Sequence, residues 1–296
     1  MSGGPAGVGR TALGAAMIRA VESRRPDRLF HDPYAAHFLT AAPEVFRTPG
    51  QGPAGGRGGP RGAVAGLGGL SGAAAGFWAQ VVLRTRFFDD HLLAASTHGV
   101  RQVVLLAAGL DTRAYRLAWP DGVSVFELDL PGVLDFKRRV LAPRAAEPRG
   151  DLRAIPADLR EDWPTPLAEA GFRAEEPTAW LLEGLLIYLS ANEVTRLLTT
   201  IGELSAPGSH IAFEYDDTHP EVLRDRAARL PAVAEHARLW QGGLPDAPAR
   251  LAADGWRCAR HALVPLAARL GRPLDAASSP GGFLTAVRGP DPRRGR

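Results

Sequence analysis

Residues 101–131 read RQVVLLAAGLDTRAYRLAWPDGVSVFELDLP, and this stretch decides the fold. Val103 to Leu106 is an unbroken apolar run, the pattern of a strand buried on both faces of a parallel sheet. Ala107, Ala108 and Gly109 follow it and are small enough to let backbone approach a ligand closely. A helix then leads to a second strand over 123–128, with Glu127 and Asp129 at its end. Ligands of open α/β sheets sit just beyond the carboxyl ends of the strands. An acidic side chain there can accept two hydrogen bonds from a ribose diol, so the stretch is suited to hold a nucleoside.

The turn indicates which nucleoside. A dinucleotide site calls for G-x-G-x-x-G, so that helix amides face a pyrophosphate. This chain has A-A-G-L-D-T over 107–112, with one glycine, and Asp111 falls where phosphates would lie. A carboxylate repels a pyrophosphate and attracts a sulfonium. The pattern therefore favours S-adenosylmethionine over NAD, and a nicotinamide oxidoreductase is the weaker alternative.

The 296 residues suffice for one large α/β domain with additions, or for two small ones. Hydrophobic content of 45% and charged content of 23% are ordinary for a globular protein. The longest apolar run, TAWLLEGLLIYL, is too short to cross a membrane and carries Glu183. The start, MSGGPAGVGR, lacks the apolar core of a signal peptide. A lone cysteine, Cys258, excludes an internal disulfide framework and most cysteine metal sites. These features lead to the expectation of a cytoplasmic protein with no membrane partner. The net charge is +3, and the basic residues are scattered arginines with Lys137 the only lysine. No dense basic run interleaves with aromatics, so nucleic acid is not the expected partner.

Alternation of strand and helix from 101 to 215 predicts a parallel sheet with right-handed crossovers. Further strands are expected over 152–157, 178–182, 209–215, 257–263 and 282–287. Residues 11–39 read as helical with breaks at Pro26 and Pro33, and a second helix spans 77–95. A helix over 191–204 is capped by Ser190 or Asn192. The glycine- and proline-rich segment 48–72 reads as a loop or lid, and 221–251 as alanine-rich helices. The organisation expected is a helical extension over 1–95 and a core over 96–296, with a helical insertion at about 217–254.

Four strand ends carry Gly109, Asp129, Asp158 and Glu183 in order, and this shared position says more than any one residue. Asp129 can bind ribose hydroxyls or cap a helix. Asp158 and Leu159 can frame an adenine. Glu183 stands in a very apolar segment, where a charge is costly unless paired; it is either a ligand group or a carboxylate bonded to backbone or arginine. Arg84 and Arg86 straddle Thr85 and suit bidentate carboxylate recognition, yet their spacing also allows ion pairs with Asp89 or Asp90. Arg113 and Arg116 are ambiguous between helix surface and packing on the second strand. The histidines show no metal-binding spacing, and no nucleophile elbow is present.

The segments RAVESRRPDRLFHDPYA, VLRTRFFDD, AAGLDTRAYRL, FELDLP, ADLRE and LLEGLLIYL together resemble the leucine carboxyl methyltransferase family, a branch of the class I S-adenosylmethionine-dependent methyltransferases. They recur in the family's order and spacing over roughly residues 11–215. The resemblance implies a Rossmann-like seven-stranded sheet, mostly parallel with an antiparallel last strand, and helices on both faces. It also implies that Arg84 binds the cofactor's carboxylate and that Gly109 underlies its methionine part. Asp129 would hold the ribose, Asp158 and Leu159 the adenine, and Glu183 would lie near the sulfonium or amino group. The family usually has glycine at the position of Ala107. A Cβ there is tolerated at negative φ and strained at positive φ, which keeps open an inactive, ligand-binding relative.

The expected activity is O-methylation of a small molecule, such as a carboxylate or phenol of a polyketide-type specialised metabolite. A carboxylate acceptor is already ionised at neutral pH, whereas a phenol of pKa about 10 gains from a base. Tyr188 and His219 follow strands and are candidates to face the acceptor, against packing and solvent roles respectively. Nothing in these residues names the acceptor, the base or the oligomeric state.

Overall fold

The structure is a computed structural model that describes residues 8–43, 73–144, 146–216, 221, 225, 238–242, 246–274 and 281–290. Strands β1 (Gln102–Leu106), β2 (Ser124–Asp129), β3 (Asp151–Pro156), β4 (Thr178–Leu182), β5 (His210–Tyr215), β6 (Trp256–Ala262) and β7 (Gly282–Arg288) form one sheet, ordered β3-β2-β1-β4-β5-β7-β6. The first five pair in parallel. β7 slots between β5 and β6 and runs antiparallel to both. The Rossmann-like class I methyltransferase sheet, with its last strand reversed, thus forms as expected, and the strand bounds fall within two residues of the sequence reading.

Why the strands are apolar throughout follows from what covers them. Side chains alternate across a pleated strand, so a sheet buried on both sides needs apolar residues at every position. Val104 and Leu106 of β1, Trp180 and Leu182 of β4, and Ile211 and Phe213 of β5 face one layer. That layer is built on α6 (Pro164–Glu169), α7 (Ala191–Glu203) and α8 (Ala247–Ala253). Val103, Leu105, Ala179, Leu181 and Ala212 face the other, against α3 (Ala73–Thr97) and α9 (Leu263–Arg269). A third cluster joins Leu13 and Ala16 of α1 (Val8–Glu22), Phe38 and Leu39 of α2 (Ala35–Ala41), and Phe136 and Val140 of α5 (Pro131–Leu141). The short helix α4 (Arg113–Arg116) closes the turn after β1.

Several local expectations resolve. Ser190, not Asn192, caps α7, in a reciprocal capping box with Glu193. The helical reading of 11–39 divides, with α1 ending at Glu22 and α2 starting at Ala35. Leu263, assigned to a strand from sequence, instead opens α9, and Pro265 lies in its first turn. Proline is tolerated there because the first amides of a helix have no intrahelical acceptor. The loop over 48–72, most of the helices over 221–251, and His219 lie outside the described residues.

Candidate functional site

Strand order fixes where a ligand goes. The chain leaves β1 towards β2 on one side, while β4 lies on the other, so the crevice of an open sheet falls between the carboxyl ends of β1 and β4. Gly109 follows β1, Glu183 and Gly184 follow β4, and Asp129 ends the neighbouring strand β2. Ala107 has φ 53 and Gly109 has φ 53, so two residues of one turn occupy the left-handed region. For Ala107 this is the strained case, and the turn nonetheless forms. Its neighbour Ala108 donates its amide to Leu128 O at 3.0 Å. A Cβ built on Gly109 would come within 3.3 Å of Ala12 Cβ.

This turn is fastened to the second strand. The Gly109 amide donates to Asp129 Oδ2 at 2.6 Å, and Leu130 N donates to Asp129 Oδ1 at 2.7 Å. Asp129 is therefore no helix cap; the cap residue of α5 is Leu130, which makes no side-chain cap bond. Burial pushes the Asp129 carboxyl above its usual range, only partly offset by the two amides and Lys137. Each carboxylate oxygen has a further lone pair free for a diol. Next to it, Leu130 is 43% exposed, unusual for so large an apolar side chain in this protein. Sequence reading had not singled out Leu130, whose exposure beside Asp129 emerges only from the fold.

A chain of ion pairs backs the crevice. Glu183 and Glu214 follow Leu182 and Phe213, which are register partners on β4 and β5. Alternation aims both carboxylates at α3, the side of Leu181 and Ala212. Arg84 on α3 meets them both, with Nε 2.9 Å from Glu183 Oε1 and Nη1 2.6 Å from Glu214 Oε1. Glu183 Oε2 also lies 2.7 Å from Arg113 Nη1. Arg113, only 2% exposed, contacts Asp111 and Asp89 as well, and Asp89 takes two contacts from Arg116. The network joins three arginines to four carboxylates and so carries one negative charge in excess.

The paired charges set the protonation states. Burial works against ionisation of Glu183, but Arg113 and Arg84 outweigh it and hold the carboxyl below its usual range. Asp111 follows the same logic and is held at about 2 despite burial, through Arg113, Lys137 and Arg116. Its charge is thus neutralised locally. Glu214 moves the other way, because burial and the neighbouring Glu183 outweigh Arg84 and the amide contacts.

The remaining candidates separate. Asp158 lies beyond β3 and is gripped by Arg160, with Nη2 2.5 Å from Oδ2. Leu159 packs at the edge of the larger core. Arg86 takes the ion-pair role, with Nε 2.8 Å from Asp90 Oδ2, and donates to Leu29 O. Arg113 and Arg116 are neither surface residues nor packing for β2; both are buried members of the network. Tyr188 ends the short turn Leu186–Tyr188, whose backbone receives Gln241: Gln241 N donates to Ile187 O and its side-chain amide to Tyr188 O. Behind the site, Arg19 and Asp32 form a buried pair at 2.8 Å, with Arg19 also bonded to Leu110 O. Lys137 and Glu127 form another at 2.7 Å. Sequence reading set Glu127 beside Asp129 at the strand end as a possible diol acceptor, whereas its side chain is buried against Lys137; it gave Arg19, Asp32 and Lys137 no role.

Comparison with known proteins agrees with this architecture. The leucine carboxyl methyltransferase profile matches residues 12–202. A relative from Parafrankia sp. (strain EAN1pec) carries the provisional name of an S-adenosyl-L-methionine-dependent methyltransferase; it is 49% identical over 288 residues, covering 96% of this chain and 88% of that one. One of the same provisional name from Streptomyces coelicolor is 42% identical over 292 residues, covering 96% of each chain. Among solved structures, a DUF574 family protein from Streptomyces avermitilis superposes with a TM-score of 0.57 at 14% identity, covering 93% of this chain and 97% of that one. A provisionally assigned methyltransferase from Thermobifida fusca gives 0.50 at 21% identity over 72% of this chain and 83% of that one. The two structures speak to the fold alone, whereas the profile match and the relatives of high identity decide the family. The chain belongs to the leucine carboxyl methyltransferase family.

Proposed function

We propose that this protein transfers a methyl group to an oxygen of a small molecule, such as a carboxylate or phenol of a specialised metabolite. The methyl donor is S-adenosylmethionine, in keeping with the family and the names of its members. The observation that carries the reading is the seat at the β1–β4 crevice, where the Gly109 amide is tied to Asp129 beside a network with one surplus negative charge. That charge suits a cationic sulfonium, and the small residues of the turn let a methionine chain lie on backbone. Bound there, the donor supplies an activated methyl group.

The protein's share is alignment and electrostatics. In this reading Arg84 receives the donor's carboxylate, Gly109 underlies its methionine chain, and Asp129 accepts from the ribose hydroxyls. Asp158 and Leu159 frame the adenine, with Leu130 against its other side. Glu183 faces the amino group or sulfonium. Methyl transfer is an in-line displacement, so holding the acceptor oxygen opposite the sulfur supplies much of the rate. A carboxylate acceptor, as the family name suggests, needs no proton removed.

The test is transfer of isotopically labelled methyl to paired aromatic acids and phenols of one skeleton. Label that mild alkali releases as methanol marks an ester, and alkali-stable label marks an aryl ether. Label found only on nitrogen or carbon would refute O-methylation.

A further inference from the structure

Glu214, whose side chain is 21% exposed, is a carboxylate of the network that the proposed function leaves without a task. It sits at the end of β5, level with Glu183, and the two would repel each other without Arg84 between them. Its contacts differ from those of Glu183. Both Glu214 oxygens accept from the Gly184 amide, at 3.0 and 2.9 Å, and Oε1 also receives Arg84 Nη1 at 2.6 Å. Gly184 has φ +64, a backbone conformation that favours glycine, and a Cβ there would lie in ordinary contact, 3.5 Å from Arg84 Nη1. Glu183 instead shares two arginines, Arg84 and Arg113, and accepts from no amide among the described residues.

This asymmetry divides the labour. We propose that Glu214 is a positioning residue for the amino-acid end of the cofactor, anchoring both Arg84 and the backbone turn that carries Glu183. Arg84 cannot turn to follow a ligand while Glu214, itself held by the Gly184 amide, holds its Nη1 edge. Its other edge, against Glu183, is where a ligand carboxylate enters. Glu183 keeps Arg113 when that happens, and its oxygen released from Arg84 can take the ligand's ammonium. A zwitterionic head thereby exchanges with an existing ion pair at no net change of charge. The inference rests on the cofactor reading given under the proposed function.

The test separates the two ends of the ligand. Calorimetric titration with S-adenosylhomocysteine reports on the whole ligand; 5′-methylthioadenosine, which lacks the amino-acid end, reports on the nucleoside half. We expect Glu214→Ala to weaken S-adenosylhomocysteine at least tenfold while changing 5′-methylthioadenosine less than twofold. Glu214→Gln, which keeps an acceptor for the Gly184 amide, recovers part of the loss. Asp129→Ala weakens both ligands. Circular dichroism and a melting curve on each variant establish that it is folded. Equal weakening of both ligands by a folded Glu214 variant, or no weakening, overturns the positioning role. Failure of the unaltered protein to bind either ligand overturns the cofactor reading itself.

Discussion

Ala107→Gly tests the conformation of the turn on which the site is built. Ala107 has φ 53, and the left-handed region costs a residue with a Cβ about 1–2 kcal/mol. Replacement by glycine removes that cost. Against it stand about 0.4–1 kcal/mol for the freer unfolded chain and roughly half of the ~0.8 kcal/mol of a buried methylene, since Ala107 is only partly buried at the larger core. The terms leave a change between a loss of about 0.4 and a gain of about 1.2 kcal/mol. Ala108 is the internal control, because it is also partly buried but does not have positive φ. Ala108→Gly gains no relief and loses about 1 kcal/mol through the same two opposing terms. Thermal unfolding followed by circular dichroism should therefore place Ala107→Gly about 2–4 °C above Ala108→Gly. S-adenosylhomocysteine affinity should stay within about threefold of the unaltered protein, since the Gly109–Asp129 bond already forms with alanine present. Equal melting temperatures for the two variants would refute the strain argument and with it the left-handed turn.

Gly109→Ala adds a Cβ at φ +53 and 3.3 Å from Ala12 Cβ, so it should lose about 1–2 kcal/mol and weaken S-adenosylhomocysteine, as melting and calorimetry would show. Arg113→Met leaves Asp89, Asp111 and Glu183 each short of a buried cation; urea unfolding should report a loss of about 3–5 kcal/mol, and a loss below about 1 kcal/mol would argue against the network. His91 is held near 4 by burial and by His210 and His261, and its Nε2 has no hydrogen-bond partner. A histidine whose folded pKa is depressed keeps its full stability above the unfolded value of about 6.5 and loses it as pH falls towards 4, by roughly 3 kcal/mol in all. His91→Phe, placed beside a cavity of about 250 Å³ lined by Phe87, His261 and Leu266, should flatten that slope in unfolding measured at pH 4.5, 5.5 and 7. An unchanged slope would locate the acid sensitivity elsewhere.

The parts of this protein legible in its sequence are those set by local pattern. Val103 to Leu106 announced a doubly covered strand because every position had to be apolar, and the helix over 191–204 announced a cap at Ser190 or Asn192, which the folded chain resolves to Ser190 through Glu193. Asp129 was singled out as a candidate because strand ends in this topology are where ligands go. Pro265 concealed α9 by looking like a breaker, although the first helical turn accepts it. The ion-pair network stayed hidden because its contacts span 24 residues from Arg113 to Asp89 and 130 from Arg84 to Glu214. Spacing rules see i, i+4 neighbours, and they found only Arg86 with Asp90. The role of Arg84 was read from its fork shape and the family likeness; that two carboxylates of the protein share it could come only from the folded chain.

That 130-residue span also bears on how the chain is made. A ribosome releases Arg84 and Arg113 well before Glu183 and Glu214. Until the fourth strand emerges, the long helix therefore carries Arg84 with neither of its carboxylates, and until the fifth it lacks Glu214. Synthesis proceeds at about 5–20 residues per second, so the gap between Arg84 and Glu214 lasts roughly 7–26 seconds. During that time the pairs that fix Arg84 are incomplete. The ion-pair network is completed late in translation, and a ribosome stalled just short of residue 214 holds the first four strands with Arg84 and Glu183 but without Glu214.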